Sequence, residues 1–157
     1  RRQRQMCIRD RKKIAYTAHT YPHEEGMAVD GVTVAKSMGF DPAIVFKTLV
    51  ARGASKQYYV FDVPVAENLD LKKAAKAVGE KSIEMIHQKE LLPLTGYVHG
   101  GCSPVGMKKL FPTVFHSSAE NLAAMIVSAG KIGYQVELAP HDLAALVRAK
   151  FADIIVE

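Results

Sequence analysis

Two β-rich runs joined by a short turn constrain the fold of this chain more than any other feature. The runs Phe46 to Arg52 and Gln57 to Val63 are rich in aliphatic, aromatic and β-branched side chains, and GASK separates them. Runs of this composition joined by a short loop that contains glycine typically pair as an antiparallel hairpin. A second pair, AAMIVSAG and YQVELA across GKIG, predicts another hairpin. The chain is therefore expected to contain antiparallel sheet.

Other segments predict further strands. Apolar and polar side chains alternate from Ile14 to Thr20, as in a half-buried strand. The segments GYVHG and TVFH are predicted as later strands. Together with the two hairpins, these segments give about six or seven strands.

Helices are predicted where apolar residues recur at helical spacing beside a capping residue. Asp41 before Pro42, and Asp70 before LKKAAKAVG, are the expected N-caps. Gly39 and Gly79 are placed to end two helices, and HDLAALVRAKF is predicted as a C-terminal helix. Because the helices lie between hairpins, we predict an α+β fold: a mixed, mostly antiparallel, barrel-like sheet with surrounding helices.

The composition is that of a single globular domain. With 157 residues and 48% hydrophobic content, the chain can bury a core without disulfides or a metal. Its two cysteines, Cys7 and Cys102, form no CxxC pair, so we expect a metal-free, cytoplasmic protein. No apolar run approaches the roughly 18 residues needed to span a bilayer, so no membrane partner is expected.

The formal charge of +5 is concentrated at the start of the chain. Residues 1–13 carry seven Lys or Arg and one Asp, whereas residues 14–157 carry fourteen Lys or Arg and fifteen Asp or Glu. Overall basicity is therefore no evidence that the folded body binds a polyanion. Residues 1–11 also lack apolar periodicity and resemble translated adapter sequence. We expect them to be a non-native leader and residues 12–157 to form one domain.

Several side chains are candidate nucleophiles or metal ligands. His19 and His23 have the spacing of two ligands on a helix, but Pro22 disfavours a helix there and no third ligand is evident. No metal site is therefore expected. Cys102 lies in a glycine-rich turn whose amides could lower a thiol pKa, but no base is assured for it. Ser103 lies in GCSPVG, which lacks the GxSxG pattern of an activated serine.

The same loop offers a second kind of chemistry. Gly100, Gly101 and Gly106 can adopt backbone conformations closed to other residues, and Pro104 stiffens the turn. Amides exposed in such a turn can stabilise developing negative charge without a side-chain nucleophile. Lys47, where a predicted helix meets a strand in VFKTLV, is either a surface lysine or a cation aimed into a cleft.

Four segments together resemble the YbaK/EbsC family, single-domain relatives of the editing insertion in bacterial prolyl-tRNA synthetases. They are VFKTL, LDLKKAAKAVG, TGYVHGGCSPVGMKKLFPT and VSAGKIGYQVELAPHDL, and they agree in order and spacing over about Ile14 to Asp153. The resemblance implies an editing-domain fold and a trans-editing aminoacyl-tRNA deacylase, which strips a wrong amino acid from tRNA. No cofactor is expected.

The resemblance also implies a substrate site. The candidate catalytic residues are Lys47, Gly101, Cys102 and Ser103. The candidate substrate-binding residues are Tyr21, Thr48, Gly100, Pro104, Gly106, Ser128 and Gln135. Gln135 stands where some members carry an acid, and Asp30 where several carry an aromatic residue. Substrate recognition at these two positions is therefore expected to differ from those members.

The form GGCSPVGMKK is similar to the branch that acts on cysteinyl-tRNA(Pro), and often on cysteinyl-tRNA(Cys). For that branch the resemblance implies that the substrate's own thiol attacks the ester carbonyl, so that Cys102 only fills the loop. The expected partners are the 3′ end of tRNA(Pro) and prolyl-tRNA synthetase. Two alternatives stay open: a deacylase for another small residue, such as alanine on tRNA(Pro), and a non-catalytic module that binds tRNA or a synthetase.

Overall fold

The computed structural model describes residues 14–22 and 30–157, which contain four α-helices and eight β-strands. The helices are α1 (Gly31–Ser37), α2 (Leu71–Val78), α3 (Gln88–Thr95) and α4 (Pro140–Val147). The strands are β1 (Tyr16–Thr20), β2 (Phe46–Gly53), β3 (Tyr58–Pro64), β4 (Ile83–Met85), β5 (Thr113–His116), β6 (Met125–Ser128), β7 (Tyr134–Leu138) and β8 (Lys150–Ala152). Two 3₁₀ turns, Pro42–Ile44 and Ser117–Asn121, complete the regular structure of these ranges.

The strands form two sheets. The smaller has the order β1-β7-β6 and the larger the order β4-β2-β3-β5-β8. Four neighbouring pairs are antiparallel, whereas β3–β5 and β5–β8 are parallel. The predicted α+β class and mostly antiparallel pairing are therefore confirmed. The prediction of one barrel-like sheet of six or seven strands is wrong, because the eight described strands divide between two sheets and close no barrel.

A single parallel bridge, between Val45 and Ile126, links the two sheets. Pairing does not extend before Val45, because the 3₁₀ turn Pro42–Ile44 takes the chain out of strand geometry there. After the bridge, β2 continues in the larger sheet and β6 in the smaller one. No ladder joins the two strands beyond this bridge, so the described sheets form no continuous barrel wall.

The local elements follow the predicted pattern closely. The first hairpin runs in register from Phe46 opposite Pro64 to Arg52 opposite Tyr58, and β6 pairs with β7 as the second. The side chain of Asp70 accepts hydrogen bonds from two amides at the start of α2. The Asp41 side chain accepts one such bond, from the Ala43 amide, in the 3₁₀ turn that follows it. These features depend on nearby residues alone, which is why the sequence predicts them.

One predicted strand is wrong, and one predicted helix is wrong at its end. The run GYVHG forms no strand, because Gly96 caps α3 at φ 86° and Gly100 adopts φ 87°, so the chain turns twice within five residues. The C-terminal helix does not reach Phe151. It ends at Val147, where Arg148 takes a left-handed conformation, and the following residues pair with the free edge of β5 as β8.

The β2–β3 hairpin has two buried faces with different neighbours. Side chains from Ala51, Phe61 and Val63 pack with α2 on one face. On the other face, Val50 and Val60 pack with α3 and the loop of residues 96–112. Since side chains alternate along a strand, Thr48 and Asp62 lie on the loop face and Lys47 on the α2 face. None of the helices in the described ranges has the length and apolarity that a membrane crossing needs.

Candidate functional site

A cavity of about 340 Å³ opens beside the first half of β2, immediately after the bridge between the sheets. Its lining comes from α1, β2, the facing ends of β6 and β7, and the loop 96–112. It brings together seven predicted site residues: Tyr21, Lys47, Thr48, Gly100, Cys102, Ser128 and Gln135. These residues are separated by up to 114 positions in sequence (Tyr21 to Gln135). Their convergence makes the cavity the candidate site.

Four predicted site residues do not line the cavity. Gly101 donates its backbone N–H to the Val98 carbonyl oxygen at 3.0 Å. Ser103 is 2% exposed, and its Oγ accepts a hydrogen bond from the Val105 amide. Pro104 is buried and Gly106 is exposed. Their direct roles toward a substrate stay predictions, and their contacts here are those of loop structure.

The loop is braced by one hydrogen bond within it and by contact with a neighbouring turn. The hydroxyl of the buried Tyr97 donates to the Val105 carbonyl inside the loop. Gly101 lies against the turn before β7, where a Cβ atom on it would be 3.1 Å from the Ile132 amide nitrogen. Any larger residue at position 101 would therefore push the loop away from this turn. The contact with residues 131 and 132 therefore sets how closely the loop approaches β7.

Two loop residues at the cavity have backbone amides that make no hydrogen bond within the described structure. Gly100 and Cys102 both line the cavity, and neither amide donates to an acceptor in the described part of the chain. Gly101, between them, is already bonded to Val98. Because unbonded amides can stabilise negative charge on an oxygen, Gly100 and Cys102 are better placed than Gly101 as oxyanion donors.

Lys47 brings a positive charge to the cavity. Burial lowers the pKa of its ammonium, while the nearby charges of Asp30 and Glu67 raise it. Within residues 14–22 and 30–157, its Nζ makes no hydrogen bond or salt bridge. A half-buried cation without a direct partner can bind an anionic or carbonyl oxygen of a ligand.

A buried acid lies directly behind Thr48. Asp62 is 0% exposed and faces Thr48 across the β2–β3 pair. The Thr48 hydroxyl donates to Asp62 Oδ1 at 2.5 Å, whereas Oδ2 has no partner among the described residues. Burial raises the pKa of Asp62 to about 7, although the hydrogen bond from Thr48 opposes that rise. A carboxyl that titrates near neutral pH beside a cavity is typical of functional sites.

The thiol of Cys102 is unsuited to nucleophilic attack. It is 7% exposed, and burial raises its pKa to about 12, with a further contribution from the charge of Asp62. At neutral pH a thiol with this pKa is thiolate in only about 1 molecule in 10⁵. Cys102 therefore contributes a neutral, weakly polar thiol to the lining of the cavity.

No group of three or more His, Cys, Asp or Glu side chains in the described ranges is arranged to hold a metal ion. His19 bonds to Glu137 at 2.8 Å and packs edge-on against Phe40. Cys7 and His23 lie outside the described residues.

Sequence reasoning missed two residues at this site. Asp62 is the single charged residue in the apolar run QYYVFDVPV. Because charged side chains are seldom buried, an acid in such a run could have indicated a functional position. His99 lines the cavity from the loop, but an isolated histidine in a sequence gives no such signal.

The fold and the cavity agree with a known class of protein. The chain belongs to the family of aminoacyl-tRNA editing domains, whose model matches residues 23–146. A curated relative from Enterococcus faecalis, named "Putative Cys-tRNA(Pro)/Cys-tRNA(Cys) deacylase EbsC", is 43% identical over 149 residues. The match covers 95% of this chain and 90% of that relative. The predicted family is therefore confirmed.

Solved structures share the fold. One is titled "Crystal structure of a putative trans-editing enzyme for prolyl tRNA synthetase" and matches with a TM-score of 0.82 at 23% identity. That match covers 99% of this chain and 96% of the other. A second, of a hypothetical protein, matches with a TM-score of 0.85 at 18% identity over 98% and 99% of the two chains. At these identities the likeness concerns the fold alone.

Proposed function

We propose that this protein is a trans-editing aminoacyl-tRNA deacylase that removes cysteine from mischarged Cys-tRNA(Pro). The observation that carries the proposal is the cavity of this editing-family domain, which gathers Lys47, Thr48 and two unbonded loop amides. The name of the 43% identical relative supports cysteine as the amino acid and includes tRNA(Pro), beside tRNA(Cys), as a carrier. Alanine on tRNA(Pro) is the competing substrate, and a non-catalytic binding module is the competing function.

The chemistry needs little from the protein beyond orientation. An aminoacyl ester is already activated, so holding its carbonyl and stabilising the oxyanion supply most of the required catalysis. In the proposed reaction, the substrate sulfur forms a bond to the carbonyl carbon, and the ester C–O bond to the terminal ribose breaks. The ribose oxygen takes up the proton that the thiol loses. The products are a cyclic thiolactone and free tRNA, and no co-reactant is consumed.

The side chains and amides of the cavity fit the parts of that substrate. The amides of Gly100 and Cys102 serve as donors to the oxyanion, because neither is used within the described structure. The Lys47 ammonium binds a backbone phosphate or orients the terminal adenosine. Tyr21 and Ser128, which are predicted to bind the substrate, also line the cavity and complete its wall.

The choice of the substrate thiol as nucleophile follows from the state of Cys102. With its pKa raised to about 12 by burial, Cys102 is protonated at every physiological pH. The thiol of the substrate enters the same cavity with Lys47 in its lining, and a nearby cation favours a thiolate. Cys102 therefore acts in this proposal through its backbone amide.

The proposed partners are the 3′ end of tRNA(Pro) and, in the cell, prolyl-tRNA synthetase, which releases the mischarged tRNA. The proposed location is the cytoplasm, where charged tRNA is used. No metal or other cofactor enters the proposed reaction.

A deacylation panel tests this function. The protein is incubated with tRNA(Pro) charged with cysteine, serine or alanine, and release of each amino acid is followed with time. We expect rapid loss of cysteine and at least about 100-fold slower loss of serine, because a hydroxyl is a far weaker nucleophile than a thiol at neutral pH. Comparable rates for cysteine and serine would exclude the thiol mechanism. Faster loss of alanine than of cysteine would make alanine on tRNA(Pro) the substrate. If no amino acid is released, the protein is a non-catalytic binding module.

A further inference from the structure

We propose that Asp62 is a positioning residue that, through Thr48, completes a binding site for the α-ammonium group of an aminoacyl ester. The inference rests on the proposed function, because it concerns the substrate of the same cavity. Asp62 itself does not line the cavity, and its effect reaches the ligand through the threonine hydroxyl.

The hydrogen bond between Thr48 and Asp62 fixes the polarity of the hydroxyl. Thr48 Oγ1 has one proton, which it donates to Asp62 Oδ1 at 2.5 Å. Thr48 also lines the cavity. While Asp62 is ionised and holds the Thr48 proton, the hydroxyl can only accept a hydrogen bond from a ligand. A ligand group that contacts Thr48 must therefore be a donor.

The buried polar atoms that lack a hydrogen-bond partner in the described structure are acceptors, as the Thr48 hydroxyl is toward a ligand. Its two buried side-chain polar atoms without a partner are Asp62 Oδ2 and Gln135 Oε1, and both are acceptors when Asp62 is ionised. Gln135 lines the same cavity and is 8% exposed. Unpaired buried acceptors are costly, and a donor on a ligand in the cavity would satisfy the one on Gln135. A cationic donor is the ligand group that this environment would stabilise best.

Lys47 does not neutralise Asp62. Its side chain lies on the opposite face of β2, and the acids that act on its charge are Asp30 and Glu67. The cavity therefore offers both a cation and a hydrogen-bond acceptor. The Lys47 ammonium lies on one face of β2, and the Thr48 hydroxyl, which is bonded to Asp62, lies on the other. An aminoacyl ester with its free ammonium and its oxygen-rich ribose end has the complementary arrangement of charge.

The other acid at the cavity is less suited to the ammonium. Asp30 is exposed, and its Oδ2 already accepts hydrogen bonds from the Thr33 amide and hydroxyl as the cap of α1. An exposed pair with an ammonium gains little, because water screens it. We therefore assign recognition of the ammonium to Thr48 and Asp62, and expect esters with an acylated amine to be rejected.

Binding of an uncleavable analogue tests the assignment separately from catalysis. The probe is 3′-cysteinylamino-3′-deoxyadenosine, whose amide link resists deacylation, compared by calorimetry with its N-acetyl form, which keeps the thiol but lacks the ammonium. Native protein is expected to prefer the free amine. Asp62→Asn should reduce that preference by about 10- to 100-fold, the range expected for a hydrogen bond to a charged group. Affinity for the N-acetyl form should stay nearly constant.

Three further variants keep the test decisive. Thr48→Val should lose the preference as Asp62→Asn does, Thr48→Ser should retain it, and Asp30→Asn should leave it unchanged. The assignment is overturned if the folded variants Asp62→Asn and Thr48→Val both keep the full preference for the free amine. It is also overturned if they weaken binding of the two probes equally. Should Asp62→Asn fail to fold, the Thr48 pair decides alone. Failure of native protein to release cysteine from Cys-tRNA(Pro) would instead refute the proposed function, whatever the binding result.

Discussion

Asp62→Asn is the substitution whose effect on stability can be worked out most fully from the structure. The carboxyl is 0% exposed, and Asn has nearly the same shape, so the change removes the charge with little effect on packing. Thr48 can still donate its hydroxyl proton to the Asn carbonyl oxygen as it does to Oδ1. The expected consequence is a pH-dependent difference between native protein and variant.

The sign of the effect follows from proton linkage. Burial raises the pKa of Asp62 from its usual value of 3.8 to about 7. Between these values the unfolded chain loses its proton while the folded chain keeps it, so the free energy of unfolding falls as pH rises. The pKa values differ by about 3, and each pKa unit corresponds to about 1.4 kcal/mol. Native protein therefore loses about 4 kcal/mol of stability from this group between pH 4 and pH 8.

Urea unfolding at several pH values measures the effect. Since Asn does not titrate, the free energy of unfolding of Asp62→Asn minus that of native protein should rise by about 4 kcal/mol from pH 4 to pH 8. Burial lowers the pKa of His116, whose effect runs the opposite way, but both proteins contain it and it cancels. The exposed Asp142→Asn controls for loss of one negative charge. A difference that stays flat within about 1 kcal/mol would refute the reasoning.

Three further substitutions test the site and its loop. Lys47→Ala should lower kcat/KM for Cys-tRNA(Pro) by at least about 100-fold through loss of the cavity's cation, with partial recovery in Lys47→Arg, and an unchanged rate would remove the lysine from the mechanism. Cys102→Ala should keep deacylation within about threefold, because the buried thiol is protonated. A rate more than 100-fold lower in a folded variant would make Cys102 the nucleophile. Gly130→Ala should cost about 1–3 kcal/mol in urea unfolding, because residue 130 has φ 103° and its new Cβ would lie 2.9 Å from the Tyr97 ring. Gly39→Ala, with φ 78° and open space around it, is the matched control and should cost less.

The parts of the fold that depend on nearby residues could be predicted from the sequence. Helix caps at Asp41 and Asp70 and the two hairpins need only a capping side chain or a short turn between β-rich runs. The physical causes act within about ten residues, so the sequence pattern contains them.

The parts of the fold that depend on distant contacts could not. The parallel pairing of β5 with β3 and β8 joins segments more than 30 residues apart. Residues 150–152 have helical spacing with the preceding residues, yet the free edge of β5 takes them into a strand. Competition between a local helix and a sheet edge is decided by tertiary contacts, which override propensity. The division into two sheets also depends on tertiary contacts, because the bridge between Val45 and Ile126 joins segments that are distant in sequence.

For the site, a resemblance was needed to select Lys47 and Thr48, since a lysine on a strand is by itself more often a surface residue. The cavity then gathers seven of the predicted residues, which spacing alone could not have placed together. The loop glycines were predicted from their conformational freedom, and Gly100 and Gly106 do adopt positive φ. Gly101 serves a different need, the close approach of the loop to residues 131 and 132.

The adjacent residues Lys47 and Thr48 explain how one short strand segment could separate charge within a single cavity. Strand alternation sends their side chains to opposite faces of the sheet, where Lys47 meets the charges of Asp30 and Glu67 and Thr48 meets the buried Asp62. Both residues still line the cavity, because it follows the edge of β2 where pairing with β6 has ended. Burial, together with the charge of Asp62, disfavours a thiolate at Cys102, whereas the charge of Lys47 favours one in a bound substrate. In the proposed reaction, this difference in environment keeps the protein's own thiol protonated and permits the substrate's thiol to react.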